Sequence, residues 1–281
     1  LVLASCNNRS KVSSSSDIED VLEKNTVTVT RNALTDTMLT IGGSQMRFAE
    51  VSRIFQVDTT EQFYLSVRAI VPADSSAITN SLYHRLLAYY NELGDTLAST
   101  PASASTPSAL AGAIDEMGRQ FKIHAMPYAS DTLTSGFMMN ADMRPVYGTD
   151  RYITYAVYDD YYTGGAHGEI DSYFTTFNIS TGEQYTFDTL FRKDARRRLR
   201  GMIVDIIAKD KGMTVDEYLK SLNEFLSPSS PVTVDNFPVY HVGITSMGVV
   251  FTYPKYTIAA GFEGCPSYVI PLDEISAYLS L

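Results

Sequence analysis

Residues 152–191 read YITYAVYDDYYTGGAHGEIDSYFTTFNISTGEQYTFDTLF, three aromatic-rich runs joined by two glycine turns. Tyr152 to Tyr158 and Tyr173 to Ile179 mix β-branched and aromatic side chains with smaller ones, which predicts two strands. Between them, Thr163-Gly164-Gly165-Ala166-His167-Gly168 places three glycines within five residues. Glycine there lets the backbone take φ > 0 or approach a second backbone that a Cβ would hold off. Ser180-Thr181-Gly182-Glu183 has the composition of a hairpin turn, which predicts a returning strand over Gln184 to Phe187.

Upstream of this stretch, Val27 to Thr30, Gln45 to Val57 and Phe63 to Val71 are strand candidates, the last stopped by Pro72. Ile78, Leu82, Leu86, Tyr89 and Leu93 recur at spacings of three and four, predicting a helix over Ala77–Leu93 that ends at Gly94. The Thr-Pro pairs of residues 96–108 mark a loop. Leu110, Ile114, Met117 and Phe121 then predict a second helix, and Phe137 to Pro145 a strand. Downstream, Leu199, Met202, Ile203, Ile206 and Ile207 predict a helix over Ala195–Lys209, ended by Gly212. Thr214-Val215-Asp216-Glu217 has the pattern of a capping box opening a shorter helix to Asn223. Val239–Ile244, Val249–Tyr253 and Ser267–Pro271 are predicted strands, and Asp273–Leu279 a closing helix. Strands and helices come in blocks, which predicts an α+β fold with antiparallel sheets and packed helices, in two consecutive α+β regions. The expected division is a tether over residues 1–20, an N-terminal α+β domain over 21–160 and a C-terminal one over 161–281.

The chain has 281 residues, 44% of them hydrophobic, ample for a core, and a formal net charge of −10. Such a field repels phosphate backbones and anionic lipid, so nucleic acid is excluded as an expected partner. The exception is Arg192-Lys193-Asp194-Ala195-Arg196-Arg197-Arg198-Leu199-Arg200. Positive charge at a helix start opposes the macrodipole, which calls for specific acidic neighbours. Of the two cysteines, Cys6 stands in Leu3-Ala4-Ser5-Cys6 ahead of the polar Asn7-Asn8-Arg9, the pattern of a bacterial lipobox with Cys6 as the acylated residue. The expectation is a cell-envelope lipoprotein, periplasmic or surface-exposed, whose only membrane contact is the lipid on Cys6. Ser13 to Ser16 lie in the expected tether. Cys265 is then left without a disulfide partner.

His167 lies in the glycine turn close to Asp159, Asp160, Glu169 and Asp171, the strongest concentration of chemistry-bearing side chains in the chain. His84, His124 and His241 form no metal-ligand spacing with it, and no P-loop or G-x-S-x-G is present, so no metal, cofactor or catalytic set is expected. Tyr158, Tyr161 and Tyr162 flank the same turn, offering apolar area and a hydroxyl with few rotors to freeze. The candidate binding residues are Asp160, Tyr161, Tyr162, His167, Glu169 and Asp171; the alternative is structural, with the His167 imidazole bonding backbone in a tight turn and the tyrosines filling a sheet core.

The run Tyr162-Thr163-Gly164-Gly165-Ala166-His167-Gly168, followed by a strand, Asn178, the Thr181-Gly182 turn and Asp188-Thr189-Leu190-Phe191, resembles the opening of a bacterial extracytoplasmic domain family of unknown function. That family is shared by the lysozyme-sensing anti-sigma factor RsiV and the peptidoglycan deacetylase PdaC. Phe251 to Ala259, Gly261 and Val269-Ile270-Pro271-Leu272 resemble its closing pattern. The resemblance covers about Tyr155 to Leu281, and Glu50 to Asp150 is more weakly similar to the usual upstream partner domain. It implies a non-catalytic binding module for a lysozyme-like protein or peptidoglycan. The alternative is a cell-wall hydrolase or deacetylase using the acidic cluster around His167. The anti-sigma relatives' membrane-spanning and cytoplasmic segments have no counterpart in this sequence, so their signalling is not expected to carry over.

Overall fold

A computed structural model describes residues 11–12, 29–31, 36–41, 44–56, 62–74, 76–91, 101–129, 136–164, 167–260 and 263–281. Cys6, Gly94, Gly165, Ala166, Gly261 and almost all of the expected tether lie outside these residues. The strands are β1 (Lys11–Val12), β2 (Val29–Arg31), β3 (Asp36–Ile41), β4 (Ser44–Gln56), β5 (Phe63–Pro72), β6 (Phe137–Gly148), β7 (Tyr152–Tyr162), β8 (Glu169–Asn178), β9 (His241–Thr245), β10 (Gly248–Thr252) and β11 (Ser267–Ile270). The helices are α1 (Ser76–Asn91), α2 (Pro107–Ala129), α3 (Phe187–Leu190), α4 (Arg196–Asp210), α5 (Val215–Leu226) and α6 (Leu272–Ile275), with a 3₁₀ turn over Ser276–Tyr278. The fold class is α+β, as the block pattern predicts.

Two compact units divide the chain: Thr26–Asp171 with Phe177–Gln184, and Leu1–Asn25 with Ser172–Thr176 and Tyr185–Leu281. In the first, β3 to β8 form one sheet in chain order, with β2 added beside β3. The sheet curls, so that a Cβ on Gly148 of β6 would stand 3.2 Å from Ile41 Cγ2 of β3. Neighbours up to β7 pair antiparallel except β5 and β6, which run parallel because α1 and α2 return the chain between them. Phe63, Leu65, Val67, Ala69 and Val71 of β5 and Phe137, Met139, Ala141 and Met143 of β6 are buried at every second position. That period of two turns one face of the sheet onto the buried sides of α1 (Ile78, Leu82, Leu86) and α2 (Leu110, Ile114, Met117, Phe121). Burial of each such aliphatic side chain is worth about 1.5–3 kcal/mol.

Strand β6 runs past Pro145 to Gly148, longer than its proline suggests. The pairing with β5 ends at Met143, so Pro145 removes no amide that β5 needs, and a bulge between Pro145 and Tyr147 resets the register with β7. The expected strand over Gln184–Phe187 reduces to one bridge, Phe177 with Gln184. Thr186 is instead the N-cap of α3, in a capping box with Thr189, and the helix claims Phe187.

In the second unit β9, β10 and β11 make an antiparallel sheet with β10 at its centre, and β1 pairs with β11. Its core joins Leu199, Ile203 and Ile207 of α4 to Tyr218, Leu222, Phe237, Phe251, Tyr253 and Tyr268. The arginine run at the start of α4 finds the neighbours its charge requires. Arg196 pairs with Asp188 at 3.1 Å and Arg197 with Asp235 at 2.7 Å. Arg200 donates to the Phe237 carbonyl at 3.1 Å and stacks on Phe187, while Arg198 lies over Tyr278. Cys265 is half-buried.

Candidate functional site

Strand alternation divides the tyrosine- and aspartate-rich end of β7 between two faces. Asp159 is buried and pairs with Arg85 of α1, and Tyr161 meets the Tyr89 ring of α1 edge-on at 6.1 Å. Those two side chains therefore face the helices. Tyr89 donates its hydroxyl to the Asn140 carbonyl at 3.2 Å. Burial, reinforced by the charges of Asp159 and Asp160, pushes its phenol well above the usual range.

Tyr158, Asp160 and Tyr162 turn the other way, onto the side of the sheet that α1 and α2 leave open. Register places Tyr158 opposite Asp142, Asp160 opposite Asn140 and Tyr162 opposite Met138. Burial, followed by the charge of Asp160 and its hydrogen bond, raises the Tyr158 phenol. The expected cluster of Asp159 and Asp160 about His167 is thus split, because adjacent residues of a strand point to opposite faces.

The glycine turn that follows is built as its composition predicts. Gly164 has φ +86°, in the left-handed region. A Cβ on Gly168 would stand 2.7 Å from the Tyr161 carbonyl oxygen, so the chain closes there by backbone approach. His167 is exposed, its Nδ1 3.6 Å from Glu169 Oε1 and 3.3 Å from the Gly168 carbonyl. With the His167 and Glu169 side chains 65% and 39% exposed, water screens that pair and it contributes little. Glu169 and Asp171, two apart on β8, share a face, while Ile170 between them is exposed. Each of the other three histidines lies against an aromatic ring: His84 against Tyr83, His124 against Phe137, and His241 stacked on Tyr173 at 3.8 Å. Among the described residues no group of three His, Cys, Asp or Glu is placed to hold a metal ion.

Sequence reasoning missed Arg85, Tyr64 and Asn140. Asn140 donates through Nδ2 to the Tyr64 hydroxyl at 3.1 Å. Tyr64 and Asn140 are separated by 76 residues and meet only because β5 and β6 run parallel. The Arg85 signal was local, a charge on the flank of the apolar stripe of α1.

Chemically, this region holds its buried carboxylate in an ion pair and presents tyrosine rings, one carboxylate and one amide on an open sheet face, beside an exposed hairpin. Residues 188–273, in the second unit, match the model of the family described as "Protein of unknown function (DUF3298)". The closing pattern from Phe251 to Leu272 lies inside that match, and the glycine turn lies before it. Two solved DUF3298 proteins share the fold. A member from Bacteroides fragilis NCTC 9343 superposes with a TM-score of 0.57 at 17% identity, over 83% of this chain and 92% of its own. One from Pseudomonas aeruginosa PAO1 gives a TM-score of 0.54 at 15% identity, over 84% of this chain and 95% of its own. No curated protein matches this chain.

Proposed function

We propose that this protein is a cell-envelope binding module, held at a membrane by acyl chains on Cys6, whose partner is a lysozyme-like protein or peptidoglycan. The observation that carries the reading is the end of β7. Asp159 is committed to Arg85 inside the unit, whereas Tyr158, Asp160 and Tyr162 share the open face and lead into the exposed turn that holds His167. Tyrosines on a rigid strand offer contact area with little side-chain entropy to lose, which suits recognition. The resemblance to the RsiV and PdaC domains supplies the partner class, and the lipobox pattern at Cys6 supplies the location.

Capture on immobilised lysozyme and on purified sacculi tests the partner, and retention of neither disproves it. For the anchor, Cys6→Ser is expected to lose labelling by a palmitate analogue and to leave the membrane fraction. Label that persists on the serine variant rules the anchor out.

A further inference from the structure

The open face of the first unit's sheet extends well beyond β7. Register places four positions side by side in each row across β4, β5, β6 and β7. Gln56, Tyr64, Met138 and Tyr162 make one row; Ile54, Ser66, Asn140 and Asp160 the next; Ser52, Arg68, Asp142 and Tyr158 the third. Ser52, Ile54 and Gln56 are exposed, Ile54 by 67%, so this side reaches solvent.

Four of its charges are paired within the face. Arg68 donates to both oxygens of Glu50 at 3.0 and 3.4 Å and stands 3.7 Å from Asp142, which Arg144 approaches to 3.0 Å. On a chain of net charge −10 this patch is locally balanced. A strongly charged partner would have to break those pairs, and a neutral one would not. Beside those pairs the face carries three tyrosines, with Asp160 and the Asn140 amide among them. Strand spacing sets Tyr64 and Tyr162 about 10 Å apart, and four residues set Tyr158 and Tyr162 about 13 Å apart, a span of two to three sugar rings. Tyrosine faces pack on the C–H faces of pyranose rings, while a carboxylate and an amide oxygen accept from ring hydroxyls. Asn140 leaves Oδ1 for that purpose, since its Nδ2 serves Tyr64.

We propose that this sheet face, with Tyr64, Asn140, Tyr158 and Asp160 at its centre, binds an uncharged stretch of glycan chain. The inference deepens the binding-module reading and rests on it. It assigns the sugar to the sheet face.

The probe is a soluble N-acetylglucosamine tetramer, titrated into the protein by calorimetry. Tyr64→Ala and Tyr158→Ala are expected to weaken its binding about tenfold or more each. Tyr64→Phe and Tyr158→Phe keep the rings and are expected to stay near wild type, which separates lost stacking from lost folding. Asp160→Asn tests the polar arm and is expected to weaken binding. Wild-type protein that fails to bind the tetramer overturns the inference, as does binding indifferent to both alanine variants in folded protein. If lysozyme is still captured in that case, the binding-module reading stands without it; if nothing is captured, both fall.

Discussion

At the residue scale, the hairpin after β7 shows how far composition alone carries. Three glycines in five residues signal unusual backbone, and the structure gives the reason at two of them: φ +86° at Gly164 and a carbonyl 2.7 Å from where a Gly168 Cβ would sit. Gly164→Val and Gly168→Ala are each expected to destabilise the protein by more than about 1 kcal/mol, read from denaturant midpoints. Unchanged midpoints in both would reduce these glycines to loop filler. The candidate side chains were legible as a neighbourhood but not as a geometry. Consecutive numbers hid that Asp159 and Asp160 point to opposite faces, and no local pattern announced that Tyr64 would meet Asn140.

At the element scale, the most local signals were the most legible. Thr214-x-x-Glu217 reads as a capping box, and α5 begins with one: Thr214 accepts from the Glu217 amide at 3.3 Å, and Glu217 accepts from the Thr214 amide at 2.8 Å. Thr214→Ala is expected to cost about 1 kcal/mol. Hydrogen bonds from the Thr214 amide and hydroxyl lower the Glu217 carboxyl below its ordinary value. A carboxyl lowered in the folded state adds stability above its unfolded pKa and loses it as pH falls through the folded one. Glu217→Ala is therefore expected to flatten the acid limb of a melting profile, and an identical limb would show the cap to be inert. The buried pair of Arg85 and Asp159 joins α1 to β7, and Asp159→Ala is expected to cost about 3–5 kcal/mol, because it removes the carboxylate paired with a mostly buried guanidinium. A loss under about 1 kcal/mol would mean that water already solvates the pair. Two short elements were less legible. Asp36–Ile41 became β3 although its short alternating run ahead of Gly42-Gly43 was not read as a strand. Helix α3 took the place of a strand at Phe187 because its cap lies in Thr186 and Thr189.

At the scale of the whole molecule, binding, catalysis and a purely structural role at the hairpin give three different patterns in one pair of proteins, wild type and His167→Ala/Glu169→Ala. Both side chains are solvent-exposed and their mutual distance is 3.6 Å, so removing them is expected to shift stability by no more than about 0.5 kcal/mol. Melting early would make the hairpin structural. If the hairpin is part of the docking surface, the double variant captures lysozyme or sacculi more weakly than wild type at an unchanged melting temperature, and neither protein releases fragments from peptidoglycan. If the acidic cluster were catalytic, wild type would release soluble fragments or acetate, and the variant would lose that turnover by a factor of about 100 or more. The expected result is weakened capture without turnover. The division of β7 favours it, since a general acid or base needs a carboxylate that can exchange its proton at the reacting atom, and Asp159 is instead held by Arg85 on the helix side of the sheet. Reproducible glycan turnover by wild-type protein would overturn the binding reading at once, and would place its chemistry on Asp160, Glu169 or Asp171.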